Sequence, residues 1–330
     1  MNTLSAKYEE EIINFDVDKE IEYICSTMRK SLHEVLHRKG VIVAVSGGVD
    51  SSVCAALAVR AFGTARTFLI ELPEQDSDKS SQSRSSELIR QLGAEHTSHD
   101  IASVLDAIGC YKSRDEAIRT AFPEYTSDWK CKIAIRGGIS GQINHFVLIV
   151  QSPDGVISEK RLGLKAYLQI VAATSFKQRI RKTIEYYHAD RLNYAVIGTP
   201  NRLEYDQGFF VKNGDGSSDI KPIAHLYKTQ VYTIARHLGL PDRICNAMPS
   251  TDTYSLAQGQ DEFYFALPYA QMDKALWAHD IDATDPELAD FLGLSTEQSH
   301  YVMQDIKNKR KTTQYLHRPP ILMRDVPITI

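Results

Sequence analysis

Five apolar residues, Val41-Ile42-Val43-Ala44-Val45, run directly into Ser46-Gly47-Gly48-Val49-Asp50-Ser51-Ser52 and then into the alanine-rich stretch Val53 to Phe62. A short apolar run of this kind reads as a strand buried on both faces, as in a parallel sheet. The stretch after the glycines reads as a helix. A glycine loop between strand and helix lets backbone approach an anion closely, and the helix N-terminus offers it unpaired N–H groups. Ser46, Ser51 and Ser52 add hydroxyl donors. Neither G-x-x-x-x-G-K-[ST] nor G-x-G-x-x-G is present, and the loop has no lysine. It carries Asp50, a hard oxygen ligand suited to Mg²⁺ beside pyrophosphate.

The rest of the chain extends the pattern. Residues 17–38 place Ile21, Ile24, Met28, Leu32 and Val35 at helical spacing. Arg66 to Leu72 reads as a second strand. The polar stretch Asp76 to Ser86 leads into a helix over Ser85–Leu92, which Gly93 ends, and His96 to Ile101 reads as a third strand. Residues 112–165 break the rhythm. Phe146 to Val150, the turn Ser152-Pro153-Asp154-Gly155 and Val156 to Leu162 predict an inserted β-hairpin. A helix over Lys165–Tyr187, a strand over Tyr194–Ile197 and a helix over Tyr227–Leu238 follow. Helices are then expected near Asp261–Phe265, Tyr269–His279, Pro286–Phe291 and Thr296–Lys311. The expectation is one α/β domain spanning residues 1–330. It has a doubly wound parallel sheet, a hairpin insertion over 112–165 and a helical part over 241–330.

Composition removes several classes. A net charge of -4 gives no basic excess for general nucleic-acid binding. The longest apolar runs are far too short to span a bilayer, and the N-terminus has no apolar signal core. Cys25, Cys54, Cys110, Cys131 and Cys245 are scattered without a C-x-x-C pair, as free thiols in a reducing cytoplasm would be.

The S-G-G-x-D-S string resembles the signature of the N-type ATP pyrophosphatases, which cleave ATP between the α and β phosphates and share the adenine-nucleotide α-hydrolase fold. Within that group the chain is most similar to the NAD synthetases. The resemblance rests on Gly198-Thr199, Glu204, Gly208-Phe209-Phe210, Lys212, Gly214-Asp215-Gly216, Asp219, Pro222-Ile223, Leu226 to Gln230 and Leu238-Gly239, and it covers about residues 20–110 and 165–275. It implies adenylation of a carboxylate by ATP, release of pyrophosphate, and displacement of AMP by ammonia to leave an amide. Deamido-NAD would be the carboxylate, Mg²⁺ the metal, and a homodimer the working form. No glutaminase segment fits in the chain, so ammonia would come free or from a separate glutaminase.

The resemblance also implies roles for single residues. Asp50 and Glu204 would hold Mg²⁺. The loop Ser46, Gly47, Gly48, Val49, Asp50, Ser51, Ser52 would bind ATP together with Thr199, Lys228 and Ser250. Arg179, Lys212 and Asp219 would contact deamido-NAD. By residue type alone, Glu204 and the basic run containing Arg179 read as solvated surface. Ser250 reads as a loop cap, and Asp215 either orders its Gly-Asp-Gly turn or orients ammonia. A lysine at the start of a helix, as at Lys228, opposes the helix dipole and calls for a nearby anion. Glu71-Leu72-Pro73 close the second strand, where the family places adenine.

Two departures bear on the substrate. Tyr315 and Leu316 stand where the family has a His-Lys pair that touches the dinucleotide, and the 112–165 segment is short in the family. They keep open a second reading, the same chemistry on another carboxylate. A nucleotide-binding regulator without catalysis is disfavoured by the presence of Asp50, Glu204 and Lys228.

Overall fold

The computed structural model describes residues 3–137, 145–247, 254–256, 258–259, 264–265 and 267–327. Its centre is a four-stranded parallel sheet. The strands are β1 (Val41–Ala44), β2 (Thr67–Glu71), β3 (Glu95–Ser98) and, far along the chain, Ala195–Ile197. Their order across the sheet is β3, β2, β1 and then Ala195–Ile197. The register sets Val41 beside both Thr67 and Ala195, and Ala44 beside Ile70.

Successive residues of a strand point to opposite faces, and here both faces are covered. Val41, Val43, Leu69, Ala195 and Ile197 pack with the helices Val17–Lys30, Val49–Phe62 and Lys228–His237. Ile42, Phe68, Ile70 and Val196 pack with Leu105, Tyr111 and Ala189 from helices on the other side. Continuous apolar strands were expected for this reason. The helix after the loop begins at Val49, four residues earlier than its alanine content suggested, with Gly48 as N-cap. The helix Lys79–Leu92 likewise absorbs most of the serine-rich stretch, because Asp78 caps it by accepting from Ser80 N. Gly93 ends it in the left-handed conformation, as anticipated.

The expected hairpin is present as the second and third strands of an antiparallel sheet, β4 (Lys130–Arg136), β5 (His145–Gln151) and β6 (Ile157–Arg161). β4 was not foreseen. Cys131, Ile133, Leu148 and Val150 bury one face of this sheet against Ile118, Phe122 and Ile170. A 29-residue helix, Leu164–Leu192, then returns the chain to the parallel sheet, where Ala195–Ile197 is β7.

The expected helices near 269–279, 286–291 and 296–311 are found at Tyr269–Asp280, Asp285–Leu292 and Thr296–His317. They share a core of Met272, Leu276, Trp277, Leu288, Phe291, Val302 and Ile306 with Tyr8 and Ile12 from the N-terminal segment. The helix expected near 261–265 lies mostly outside the described residues; Tyr264 and Phe265 are not helical.

Candidate active site

A cavity of about 630 Å³ opens at the carboxyl ends of β1, β2 and β7. Ligands of open α/β sheets bind at such an edge. Of the residues singled out in the sequence, Ser46, Gly48, Val49, Asp50, Ser51, Glu71, Leu72, Pro73, Thr199, Glu204, Asp215 and Lys228 line it.

The loop is built by its own small side chains. Ser51 Oγ accepts from Ser46 N at 3.3 Å and donates to Gly48 O at 3.1 Å. Ser52 Oγ donates to the same carbonyl at 2.7 Å, so this hydroxyl braces the turn and faces inward. Gly47 has φ +79, and a Cβ there would lie 2.2 Å from Ser81 O. It therefore serves conformation and close packing. The loop presents to the cavity the N-terminus of the helix Val49–Phe62, whose first-turn N–H groups have no partner within the helix.

Lys228 begins the helix Lys228–His237 and is 2% exposed. Its ammonium donates to Asp50 Oδ2. Burial disfavours the charged lysine, but Asp50 and Glu204 outweigh it and raise its pKa. The carboxylates thus supply the anion that a lysine at this helix end requires. Asn201 donates to Asp50 Oδ1 at 3.2 Å. The same Asn201 caps the helix Arg202–Gln207: it accepts from Glu204 N, and Glu204 Oε2 accepts from Asn201 N. One residue therefore joins the two acidic side chains. Sequence reasoning passed over Asn201, although N-x-x-E is the signature of a capping box.

Asp50 and Glu204 form a pair of hard oxygen donors at one corner of the cavity, both felt by Lys228. Mg²⁺ is commonly held by one or two carboxylates together with substrate phosphates, so the donor set fits that ion. Among the described residues no group of three or more His, Cys, Asp or Glu side chains gathers as a metal site.

Asp215 takes the turn role: it accepts from Val211 N at 2.7 Å while also lining the cavity. Burial pushes its carboxyl pKa up, against the Val211 N–H and Lys182. Arg179, Lys212 and Asp219 stand off the cavity wall. Arg179 donates to Lys212 O at 3.4 Å. Lys212 Nζ donates to Tyr315 O at 2.8 Å and lies 5.5 Å from the Tyr315 ring centre. Asp219 accepts from Val196 N at 2.7 Å and from the Tyr186 hydroxyl at 3.3 Å. Lys212 therefore caps the carbonyl end of the last helix, at the position where Tyr315 departs from the family. Ser250 lies outside the described residues.

Three further groups were not anticipated. Arg84 holds the loop through Gly47 O at 3.0 Å. Lys177, 1% exposed, bridges Glu74 at 2.9 Å and Asp76 at 2.6 Å, and Arg114 joins Asp76 at 2.6 Å. Asp273, fully buried, accepts from Thr229 N at 2.9 Å and so anchors the turn that carries Lys228. Farther out, Arg310 binds Asp206 and Asp280 at 2.6 Å each, tying the Glu204 helix to the C-terminal helices. All five cysteines are free and buried, and no helix among the described residues is long and apolar enough to cross a membrane.

This arrangement has relatives. The NH(3)-dependent NAD(+) synthetase of Rhizobium rhizogenes (strain K84) is 50% identical over 315 residues, 95% of each chain. That of Mesorhizobium japonicum is 48% identical over 316 residues, 96% of this chain and 99% of the relative. The fold is shared with the NH3-dependent NAD synthetase structure from Campylobacter jejuni, with a TM-score of 0.62 and 21% identity over 94% of this chain and all of that one. The NAD synthase family model matches residues 20–150 and 141–320, taking in the loop, Asn201, Glu204 and Lys228, and with that agreement of sequence, fold and site the chain belongs to the NAD synthase family.

Proposed function

We propose that the chain is an ammonia-dependent NAD synthetase, which converts deamido-NAD to NAD at the expense of ATP. The observation that carries this reading is the corner formed by Asp50, Asn201, Glu204 and Lys228 beside the phosphate loop. Relatives of half identical sequence, named for this reaction, support it along nearly the whole chain.

In the first step the substrate carboxylate attacks the α-phosphorus, and the α–β bond breaks to release pyrophosphate. The first turn of the helix Val49–Phe62 meets the phosphates with N–H donors, which stabilise charge best where it accumulates. Lys228 adds a cation held in place by Asp50. Asp50 and Glu204 would hold Mg²⁺, which would supply charge neutralisation at phosphoryl oxygens. In the second step ammonia attacks the acyl carbon of the adenylate, AMP leaves with the bonding pair, and one proton is lost to give the amide. Arg179, Lys212 and Asp219 hold the dinucleotide in this reading, which requires Lys212 to exchange the Tyr315 carbonyl for substrate. Ser250 completes the ATP site.

The exposed apolar side chains of Leu164, Leu168 and Tyr187 along the helix Leu164–Leu192 offer a surface for a second copy, consistent with a homodimer. Ammonia enters free or from a separate glutaminase. Five free thiols suit a reducing cytoplasm.

The test is pyrophosphate release with ATP, Mg²⁺ and ammonium, with and without deamido-NAD. Release that depends on deamido-NAD, with NAD as product, is expected. Pyrophosphate release stimulated by other carboxylates and not by deamido-NAD would refute the assignment.

A further inference from the structure

Among the described residues of the inserted segment 112–165, only Phe146 lines the cavity, its ring stacked on Tyr167 at 4.1 Å. Elsewhere the segment grips two stretches of chain that do line it.

The first is the loop after β2, residues 73–78. It gives Pro73 and Ser77 to the cavity wall. Through the Asp78 cap it runs into the helix whose Arg84 holds Gly47 O. Arg114, in the helix Cys110–Arg119, donates to Asp76 at 2.6 Å and to Asp115 at 2.9 Å. Lys177 joins Asp76 to Glu74, and the Tyr111 hydroxyl donates to Glu74 at 2.9 Å. The side chains of all five charged residues are buried, and none of them lines the cavity. Buried ion pairs are a weak source of stability, so their use here points to fixing where the loop lies.

The second stretch carries Tyr254, which also lines the cavity. It lies along the edge of β4 opposite β5. Cys131 N donates to Ser255 Oγ at 2.9 Å, Leu256 N donates to Cys131 O at 3.0 Å, and the buried Gln258 donates to Ile133 O. Leu256 packs on Ala134, Val147 and Ile149. The two grips meet at Cys131. Ser255 Oγ lies 3.9 Å from its sulfur. Burial pushes the thiol pKa up, and the Arg114 guanidinium nearby opposes that rise.

We infer that the inserted segment is a brace that holds these two stretches in register across the nucleotide site, with Arg114 and Ser255 as its positioning residues. This rests on the reading of the cavity as the ATP site. Neither residue lines the cavity, so each acts through the wall it holds: Arg114 through Pro73 and Ser77, Ser255 through Tyr254. Because both act through one brace, losing either end loosens the other.

The experiment is calorimetric titration of ATP, with Mg²⁺, into the full chain, Arg114→Lys, Ser255→Ala and the double variant. Lysine keeps the charge but cannot span Asp76 and Asp115 as the guanidinium fork does. Each single change is expected to weaken ATP binding by about 3- to 10-fold, the range for one hydrogen bond. The double variant should be weaker than the weaker single variant by no more than about two-fold, since coupled residues are not additive. Ser255→Thr, which keeps the hydroxyl, should bind ATP as the wild type does. A protein that is only less well folded shows fewer binding sites at unchanged affinity. If Arg114→Lys does not fold, Asp76→Asn takes its place in the cycle; it weakens the same link and leaves two cations facing the two carboxylates of Glu74 and Asp115. Losses that multiply in the double variant overturn the brace. So do single variants that keep wild-type affinity, with or without fewer sites, and so does a Ser255→Thr no tighter than Ser255→Ala. A wild type that binds no ATP overturns the reading of the cavity as well.

Discussion

The side-chain amide of Asn201 lies 3.2 Å from Asp50 Oδ1, and the same residue closes the capping box that holds Glu204. Asn201→Ala removes both contacts. The Mg²⁺ concentration for half-maximal activity should rise at least about 10-fold, as when an outer partner of a metal ligand is lost. The lost cap should cost about 1 kcal/mol of stability. Metal titration of turnover and denaturant melts check the two effects separately.

Asp50→Asn keeps the shape of the side chain and removes its charge. Turnover should fall by about 10³-fold or more, since the step depends on charge stabilisation of several kcal/mol. Lys228→Met should abolish turnover and also destabilise the fold, by about 3–5 kcal/mol, because it leaves buried carboxylate charge uncompensated. Pyrophosphate release and urea melts measure these, and undiminished activity in Asp50→Asn would remove the proposed metal role.

Gly47→Ala combines an unfavourable φ with a Cβ 2.2 Å from Ser81 O. The neighbour is backbone, so it has little room to give. A loss of about 1–3 kcal/mol is expected from strain alone, with weaker ATP binding because the loop must shift. Thermal melts with and without ATP check it: the variant should melt lower and gain less from the nucleotide.

Burial raises the Asp273 carboxyl to about 6, in spite of the Thr229 N–H that it accepts. The folded state therefore holds this proton at a pH where the unfolded chain has lost it. Its contribution to stability is full below about pH 4 and is lost as pH rises to about 6. Asp273→Asn keeps an acceptor for Thr229 N without the charge. Relative to wild type it should gain stability between pH 4 and 6, by up to about 3 kcal/mol above that window. Denaturant melts at pH 4, 5 and 8 test this; a difference between variant and wild type that is flat with pH would refute it.

The loop was legible because its chemistry is local: an apolar strand, two glycines and a run of serines within a dozen residues carry the whole turn. Both faces of β1 were legible for the same reason. What escaped the reading depends on distant partners. Arg84 looks like one more polar residue in a serine-rich stretch until the fold brings it to Gly47 O. Lys177 belongs to a run that reads as solvated surface, yet it is buried between Glu74 and Asp76, more than 100 residues away. β4 had a usable signal in the alternation of Lys130-Cys131-Lys132-Ile133, which gave way to the stronger apolar run that follows. The family resemblance named Arg179, Lys212 and Asp219, whose present partners are backbone groups and a tyrosine of this same chain.

The pairing of Lys228 with Asp50 spans 178 residues and so has a history during synthesis. At about 5–20 residues per second, Asp50 waits roughly 10–40 s for its counter-charge to be made. Through that interval the growing chain carries a glycine loop, an acidic side chain and an unfilled sheet edge where β7 will pair. The site cannot be complete until β7, the Asn201 cap and Lys228 have been made, and all three lie in one stretch of the chain. A truncated product that ends before that stretch would have no working site, so it could not hydrolyse ATP without making product.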